Sequence, residues 1–297
     1  MLKPFLTKSF VNCLFAFLEF SSYHNPMNTS ASPQSSSWIH RRIEKIGRQV
    51  IDAVDGLGLI VNFTGRVFYW AFKPPFRLKI VFEQFYFIGN KSLLIVGLSG
   101  AFTGMVMAYQ VYFGFQLISV DSLVGPVVAL SLAKELAPVL TGLIVSGRAG
   151  SAMAAQIGSM KVTEQVDALE VMGINGVQYL AVPRIIATTV CMPMLSSLFL
   201  FIGNIGSYLV GTKALMIDEA MYLSKLGEFM HMSDFYQGFI KSIFFGFIVS
   251  VIGTYFGFSV TKGAEGVGRG TNQAVVWGMI SVLVLDYFLT SFLVKIL

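Results

Sequence analysis

The sequence predicts an all-α integral membrane protein, with an N-terminal amphipathic interfacial helix followed by five transmembrane helices. Composition is the first reason: 55% of residues are hydrophobic and only 12% charged, with mean hydropathy +0.70, whereas soluble domains carry about 25% charged residues. Five apolar runs reach the roughly 20 residues that cross a bilayer core of about 30 Å, and none alternates like a barrel strand. The third reason is a strong asymmetry of Lys and Arg between the two ends of those runs.

Residues 1–37 read as a disordered extension or as a stretch upstream of a true start at Met27. Lys3 and Lys8 precede an apolar run from Phe10 to Phe20 that resembles a signal-peptide core, but no small-x-small cleavage site follows. From Trp38 to about residue 80, Ile43, Ile46, Val50, Val54 and Leu57 recur at helical spacing between Arg41, Arg42, Lys45 and Arg48. That pattern suits helices lying in the interface of an anionic leaflet, interrupted at Pro74 and Pro75. A first full span over Leu57–Phe72 is the weaker alternative, because Asn62 and Arg66 would then sit in hydrocarbon.

The five spans are placed at about Leu93–Tyr112, Leu123–Ser146, Ile185–Val210, Phe239–Val260 and Ala274–Ile296. Gly97, Gly100 and Gly104 stack about one turn apart in the first and offer a face for close helix packing. An odd number of spans puts the termini on opposite sides. One side gathers nine Lys and Arg between Arg41 and Lys91, then Arg148, Lys161, Arg184, Lys262 and Arg269; the other has Lys213, Lys225, Lys241 and Lys295. The positive-inside rule puts the first set, with the 147–184 and 261–273 loops, in the cytoplasm, and turns 211–237 outward.

Several function classes lack residues. Two cysteines, Cys13 and Cys191, make neither a disulfide framework nor a thiolate metal site, and His24, His40 and His231 lack ligand spacing. The basic residues flank spans instead of forming a nucleic-acid surface. No G-x-x-x-x-G-K-[ST], G-x-S-x-G or H-E-x-x-H pattern occurs, and Gly263, Gly266, Gly268 and Gly270 read as flexible turn residues between spans.

Two places in the chain invite chemistry. Lys134 and Glu135 fall about midway along the second span, where each charge costs roughly 2.5–3.5 kcal/mol on insertion scales. Adjacent helical residues point about 100° apart, so each needs its own partner or a wet cavity. They form either a structural polar knot or the wall of a path for a charged or zwitterionic ligand. Pro138 removes a backbone hydrogen bond beside them and frees a carbonyl close to the pair. Tyr109, Gln110 and Tyr112, at the outer end of the first span, are either belt anchors or the border of a cavity above Lys134. The second place is a short cytoplasmic helix, about 160–172, with Val162, Val166 and Leu169 on one face, charges elsewhere and Gly173 as its stop. It docks on the chain's own membrane domain or on a separate protein. A stand-alone ion-coupled transporter or channel using Lys134 and Glu135, and a non-transporting scaffold, also fit these residues.

The linked segments Lys134-Glu135-Leu136-Ala137-Pro138-Val139, Gly147-Arg148-Ala149-Gly150-Ser151-Ala152, Met160 through Met172, and Val182-Pro183-Arg184 resemble the MlaE/YrbE permease family, from about Leu57 to the C-terminus. Those permeases belong to ABC transporters that move phospholipids between membranes. The resemblance implies a homodimeric, five-span permease subunit, not itself an enzyme, in the bacterial inner membrane, N-terminus cytoplasmic and C-terminus periplasmic. It implies a cytoplasmic MlaF-like ATPase that binds the ATP and Mg, so no cofactor in this chain, a periplasmic MlaD-like MCE lipid-binding protein, a possible cytoplasmic regulator, and phospholipid as substrate. Lys134, Glu135, Pro138, Tyr109, Gln110 and Tyr112 then belong to the lipid cavity. Arg148, Met160, Lys161, Thr163, Glu164, Gln165, Asp167 and Glu170 belong to the ATPase-coupling region. Ala137, Gln156 and Asn175-Gly176 stand where the family usually has Gly, Glu and Asp-Pro.

Overall fold

The computed structural model describes residues 38–74, 77–117, 121–261 and 263–296, with side chains from position 51 onward apart from 52–54, 57, 294 and 296. The readings for residues 1–37 lie outside them. Every regular element among the described residues is helical, as expected where backbone groups must find partners without water. Five helices are long and apolar enough to cross a membrane: Leu78–Gln116, Asp121–Val162, Val177–Ala214, Met232–Phe258 and Gly263–Leu293. The chain is a multi-pass membrane protein.

The chain divides at Gly65 and Arg66. The expected interfacial helices are one 34-residue helix, α1 (Trp38–Ala71), which runs through that boundary and ends ahead of Pro74. The first span, α2 (Leu78–Gln116), starts fifteen residues earlier than its apolar run. Hydropathy marks only the part in hydrocarbon, whereas a helix satisfies its own backbone and continues into the interface. The second span is 42 residues long, about 63 Å of helix, twice the hydrocarbon thickness. It comprises a short 3-10 turn and then α3 (Val124–Ser131), α4 (Ala137–Val145) and α5 (Ser151–Val162), joined by π-helical turns at Leu132–Leu136 and Ser146–Gly150. The expected polar loop after Ser146 is therefore helix as far as Val162.

A short α6 (Gln165–Val171) follows, then the third span around α7 (Val182–Leu209), the amphipathic α8 (Glu219–Phe229), α9 (Met232–Phe258) and α10 (Gly263–Ile296). The glycines of the 261–273 segment are not turn residues: α10 begins at Gly263. A Cβ on Gly270 would sit 3.0 Å from Val260 and 3.3 Å from the Phe256 carbonyl, so this glycine permits close approach to α9.

The most extensive helix pair is α2 with α7. Gly97, Gly100 and Gly104 are buried there against Ile202, Phe199 and Gly203, and a Cβ on Gly100 would come within 2.8 Å of the Phe199 carbonyl. The small-residue face works as expected, but it meets the third span and not the second. Around it, Ile88, Val128, Leu132, Met192, Phe199 and Phe245 fill the core. Several buried hydroxyls are satisfied inside their own helices, as with Ser92 on the Ile88 carbonyl at 2.7 Å and Thr254 on that of Ser250 at 2.7 Å.

Candidate functional site

The π-turn Leu132–Leu136 carries Lys134 and Glu135, and Pro138 lies just beyond it. A proline has no N–H, so the Lys134 carbonyl, four residues back, loses its usual donor. The Lys241 ammonium on α9 donates to that oxygen at 3.1 Å. It also contacts Glu135 Oε2 at 2.5 Å, Asp286 Oδ1 of α10 at 3.1 Å and Thr290 Oγ1 at 2.7 Å. The Lys241 side chain has no exposed surface. An unpaired ammonium there would be prohibitive; two carboxylates, a hydroxyl and a spare carbonyl make it tolerable.

Lys134 points away from that knot. Its ammonium pairs with Asp234 Oδ1 at 2.8 Å, while Asp234 Oδ2 accepts the His231 N–H at 3.0 Å and closes a capping box at the start of α9. Asp234 and Lys241 are seven residues apart on one helix, so their backbones are about 10 Å apart along its axis. Gly238, between them, brings α9 up to the second span: a Cβ there would strike the Ala133 carbonyl. The network has a dry back and an open front, since Lys134 and Glu135 are each 40% exposed and Lys241 is fully enclosed.

Lys134, Glu135 and Pro138 are thus one site. Tyr109 and Gln110 are exposed, and Tyr112 is half-buried. The two tyrosines meet Phe113 of the same helix, with ring centroids 6.1 and 6.0 Å away. A pocket of about 240 Å³ beside the site is lined by Ala133, Ala137, Ser196, Leu200, Phe235 and Phe239, among others, and takes in none of the three.

Lys241, Asp234, Asp286 and Thr290 were not among the expected site residues. Asp286 lay in plain view inside the fifth apolar run. Lys241 stands three positions into the fourth run and belongs to the span instead of flanking it, so the less basic side carries three Lys instead of four. Asp234, in the outward 211–237 segment, caps α9.

At the other end of the second span, Arg148 is committed internally. Its Nη1 donates to the Ile88 carbonyl at 2.9 Å and to Ser92 Oγ at 2.6 Å, its Nη2 to the Phe87 carbonyl at 3.0 Å, and the guanidinium lies over the Phe87 ring. It staples the second span to α2. Lys161 donates to the Phe258 carbonyl and caps α9. Met160 and Lys161 belong to α5, which packs on α9 and α10.

The expected 160–172 helix is in fact broken. Thr163 donates to the Ser159 carbonyl at 2.9 Å, and Glu164 turns left-handed at φ 59°, a costly conformation for a non-glycine residue. The independent helix is α6 alone, with Asp167 in its first turn, favourable to the helix dipole. Gly173, at φ 74°, stops it: its N–H bonds the Glu170 carbonyl and that of Ile174 bonds the Leu169 carbonyl, each at 2.9 Å. Of the expected apolar face only Val166 is buried; Leu169 is half-buried, and Val162 lies on the preceding helix. Gln165, Asp167 and Glu170 are exposed, as are Val171 at 89% and Met172 at 64%.

The model of the family described as permease MlaE matches residues 81–292. The chain belongs to the MlaE permease family. It is 40% identical over 251 residues to a probable ABC transporter permease protein of Rickettsia typhi, covering 84% of this chain and 97% of that one. It is 38% identical over 254 residues to the intermembrane phospholipid transport system permease protein MlaE of Haemophilus influenzae, covering 84% and 96%. Against the chloroplastic protein TRIGALACTOSYLDIACYLGLYCEROL 1 of Arabidopsis thaliana the identity is 34% over 228 residues, covering 77% and 65%. Members of the MlaE family are transport subunits, and the motifs quoted for the resemblance all fall within the matched range.

Proposed function

We propose that this chain is the membrane subunit of an ABC transporter that moves phospholipids between the inner and outer membranes. It draws its work from a separate cytoplasmic ATPase of the MlaF kind, which carries the ATP and Mg. The observation that carries this reading is the pairing, on one long helical span, of a half-open charge network with an exposed short helix beyond its other end. The likeness to the Haemophilus permease, whose name specifies phospholipid transport, supports the substrate class.

In this reading two copies face one another, and the open fronts of their networks become walls of a shared chamber for a two-tailed lipid. Lys134 and Glu135 meet the head group, apolar walls meet the tails, and an MCE protein of the MlaD kind exchanges lipid on the periplasmic side. The inward side is the one bearing α6, by the Lys and Arg asymmetry, with the N-terminus cytoplasmic and the C-terminus periplasmic. ATPase closure presses α6, and the rigid α5 arm carries that displacement into α9 and α10, which hold Lys241 and Asp286. Coupling thereby reaches the chamber through packed helices with no chemistry in this chain.

Purification of the tagged chain from its own membranes tests this. A stoichiometric ATPase, and ATP-dependent transfer of labelled phospholipid by the reconstituted complex, are the expected results. Transport by the isolated chain driven by an ion gradient would overturn it.

A further inference from the structure

The open front of the charge network is two-ended. At one end the Lys134 ammonium uses a single contact, to Asp234 at 2.8 Å, leaving two of its three N–H donors available. At the other end Glu135 gives Oε2 to Lys241, Oε1 meets the Thr290 hydroxyl at 3.3 Å, whose proton already goes to the Asp286 carbonyl at 2.8 Å, and the carboxyl lies within hydrogen-bond reach of the Asp286 carboxyl. A carboxylate has about four acceptor sites, so the 40% exposed Glu135 keeps acceptor capacity toward the open front. Cation and anion are both 40% exposed. A single small ion matches the sign of only one of them; a group that carries both charges matches the pair.

The sign of the network narrows the ligand further. Lys134 and Lys241 face three carboxyl groups, Glu135, Asp234 and Asp286. The formal sum is −1, and with one carboxyl protonated it is 0. It offers no surplus positive charge to a lipid that is itself anionic.

Resting on the lipid-chamber reading above, we infer that Lys134 and Glu135 make the chamber selective for phospholipids whose head group carries a phosphate and a primary ammonium, over phospholipids of net negative charge. The phosphate takes the free N–H donors of Lys134, and the ammonium donates to the Glu135 carboxylate. An ammonium without N–H groups gains only the Coulomb part of that contact, so a trimethylammonium head group ranks between the two.

The full-length chain is reconstituted in vesicles of equal phosphatidylethanolamine and phosphatidylglycerol and extracted in mild detergent. The retained lipid is then identified by native mass spectrometry. The wild-type chain is expected to retain the ethanolamine lipid over the glycerol lipid by about tenfold, the effect of one charge-assisted hydrogen bond. Glu135→Gln brings the ratio to about one. Lys134→Gln lowers total retained lipid without changing the ratio, because both lipids carry the phosphate. Gly270→Ala, which disturbs α9–α10 packing at Val260 and Phe256 away from the network, keeps the bias. Where Glu135→Gln does not fold, Glu135→Asp keeps the charge but shortens the reach, and is expected to lose most of the bias. A wild-type ratio near one, or a Gly270→Ala ratio that collapses as far as that of Glu135→Gln, overturns the selectivity. A wild-type chain that retains no phospholipid overturns the lipid chamber itself.

Discussion

The two ends of the second span are built on opposite principles. Around Lys134 and Glu135, charged groups from three spans are tied together, and one lysine is completely enclosed among four oxygen acceptors. Beyond Val162, α6 holds on through Val166 and a C-terminal glycine, with Val171 and Met172 left bare. The first region is tied to α9 and α10 through several contacts at once. The second keeps an exposed apolar tip. If an ATPase presses α6, this division supplies a soft receiver, a stiff arm, and a polar junction that cannot slip one contact at a time.

Removing the hub of the junction should break this contrast most visibly. Lys241→Met leaves Glu135 and Asp286 facing each other without a cation inside the bundle, and one-sided loss of a buried pair costs about 3–5 kcal/mol. The thermal midpoint in detergent should fall sharply, whereas a double change that also neutralises Glu135 should recover part of the loss. No recovery would mean the three groups are not energetically one network.

The next largest effect tests the helix approach that assembles the network. Gly238→Ala puts a methyl into the Ala133 carbonyl, and overpacking of this kind costs about 1–3 kcal/mol. It should also pull Lys241 from the Lys134 carbonyl, one turn deeper, so lipid retention should drop beyond what the lowered stability explains. Retention that simply tracks the melting temperature would reduce Gly238 to a packing residue.

These residues also mark what could be read from sequence. The Gly97-Gly100-Gly104 face, Pro138's freed carbonyl and the stop at Gly173 were legible, because each is a local consequence of a residue's own backbone or size. Lys241 and Asp286 were not, because their roles depend on partners 106 and 45 residues away, and a hydropathy window reads a lysine near a span end as a flank. Arg148 is a like case: a basic residue after an apolar run looks like an interfacial charge, and only the structure shows that α2 supplies carbonyls for it. The break at Glu164 was invisible because a left-handed glutamate leaves no compositional mark, whereas a left-handed glycine does.

Gln156 offers a smaller test on the α5 arm. Its Oε1 accepts from buried Arg184 at 3.4 Å, and Arg184 Nε has no partner. The family resemblance places Glu here. Gln156→Glu should shorten that contact and convert it to a charge-assisted pair, raising stability by about 1 kcal/mol. An unchanged melting temperature would show that the arm gains nothing from a charge at this position.

The smallest expected effect on folding is at the receiver, and it is the sharpest test of the contrast. Val171 and Met172 bury almost nothing within the chain, so Val171→Ser with Met172→Ser should alter stability by no more than about 0.5 kcal/mol. If α6 is the surface on which an ATPase seats, the same double change removes two apolar contacts from that interface, worth roughly 1–3 kcal/mol each when fully buried. The partner should then be lost from the purified complex while the isolated chain keeps its melting temperature and its retained lipid. A complex that stays intact and active after both substitutions would leave α6 an exposed turn between spans, and the work delivered to the junction would have to enter elsewhere.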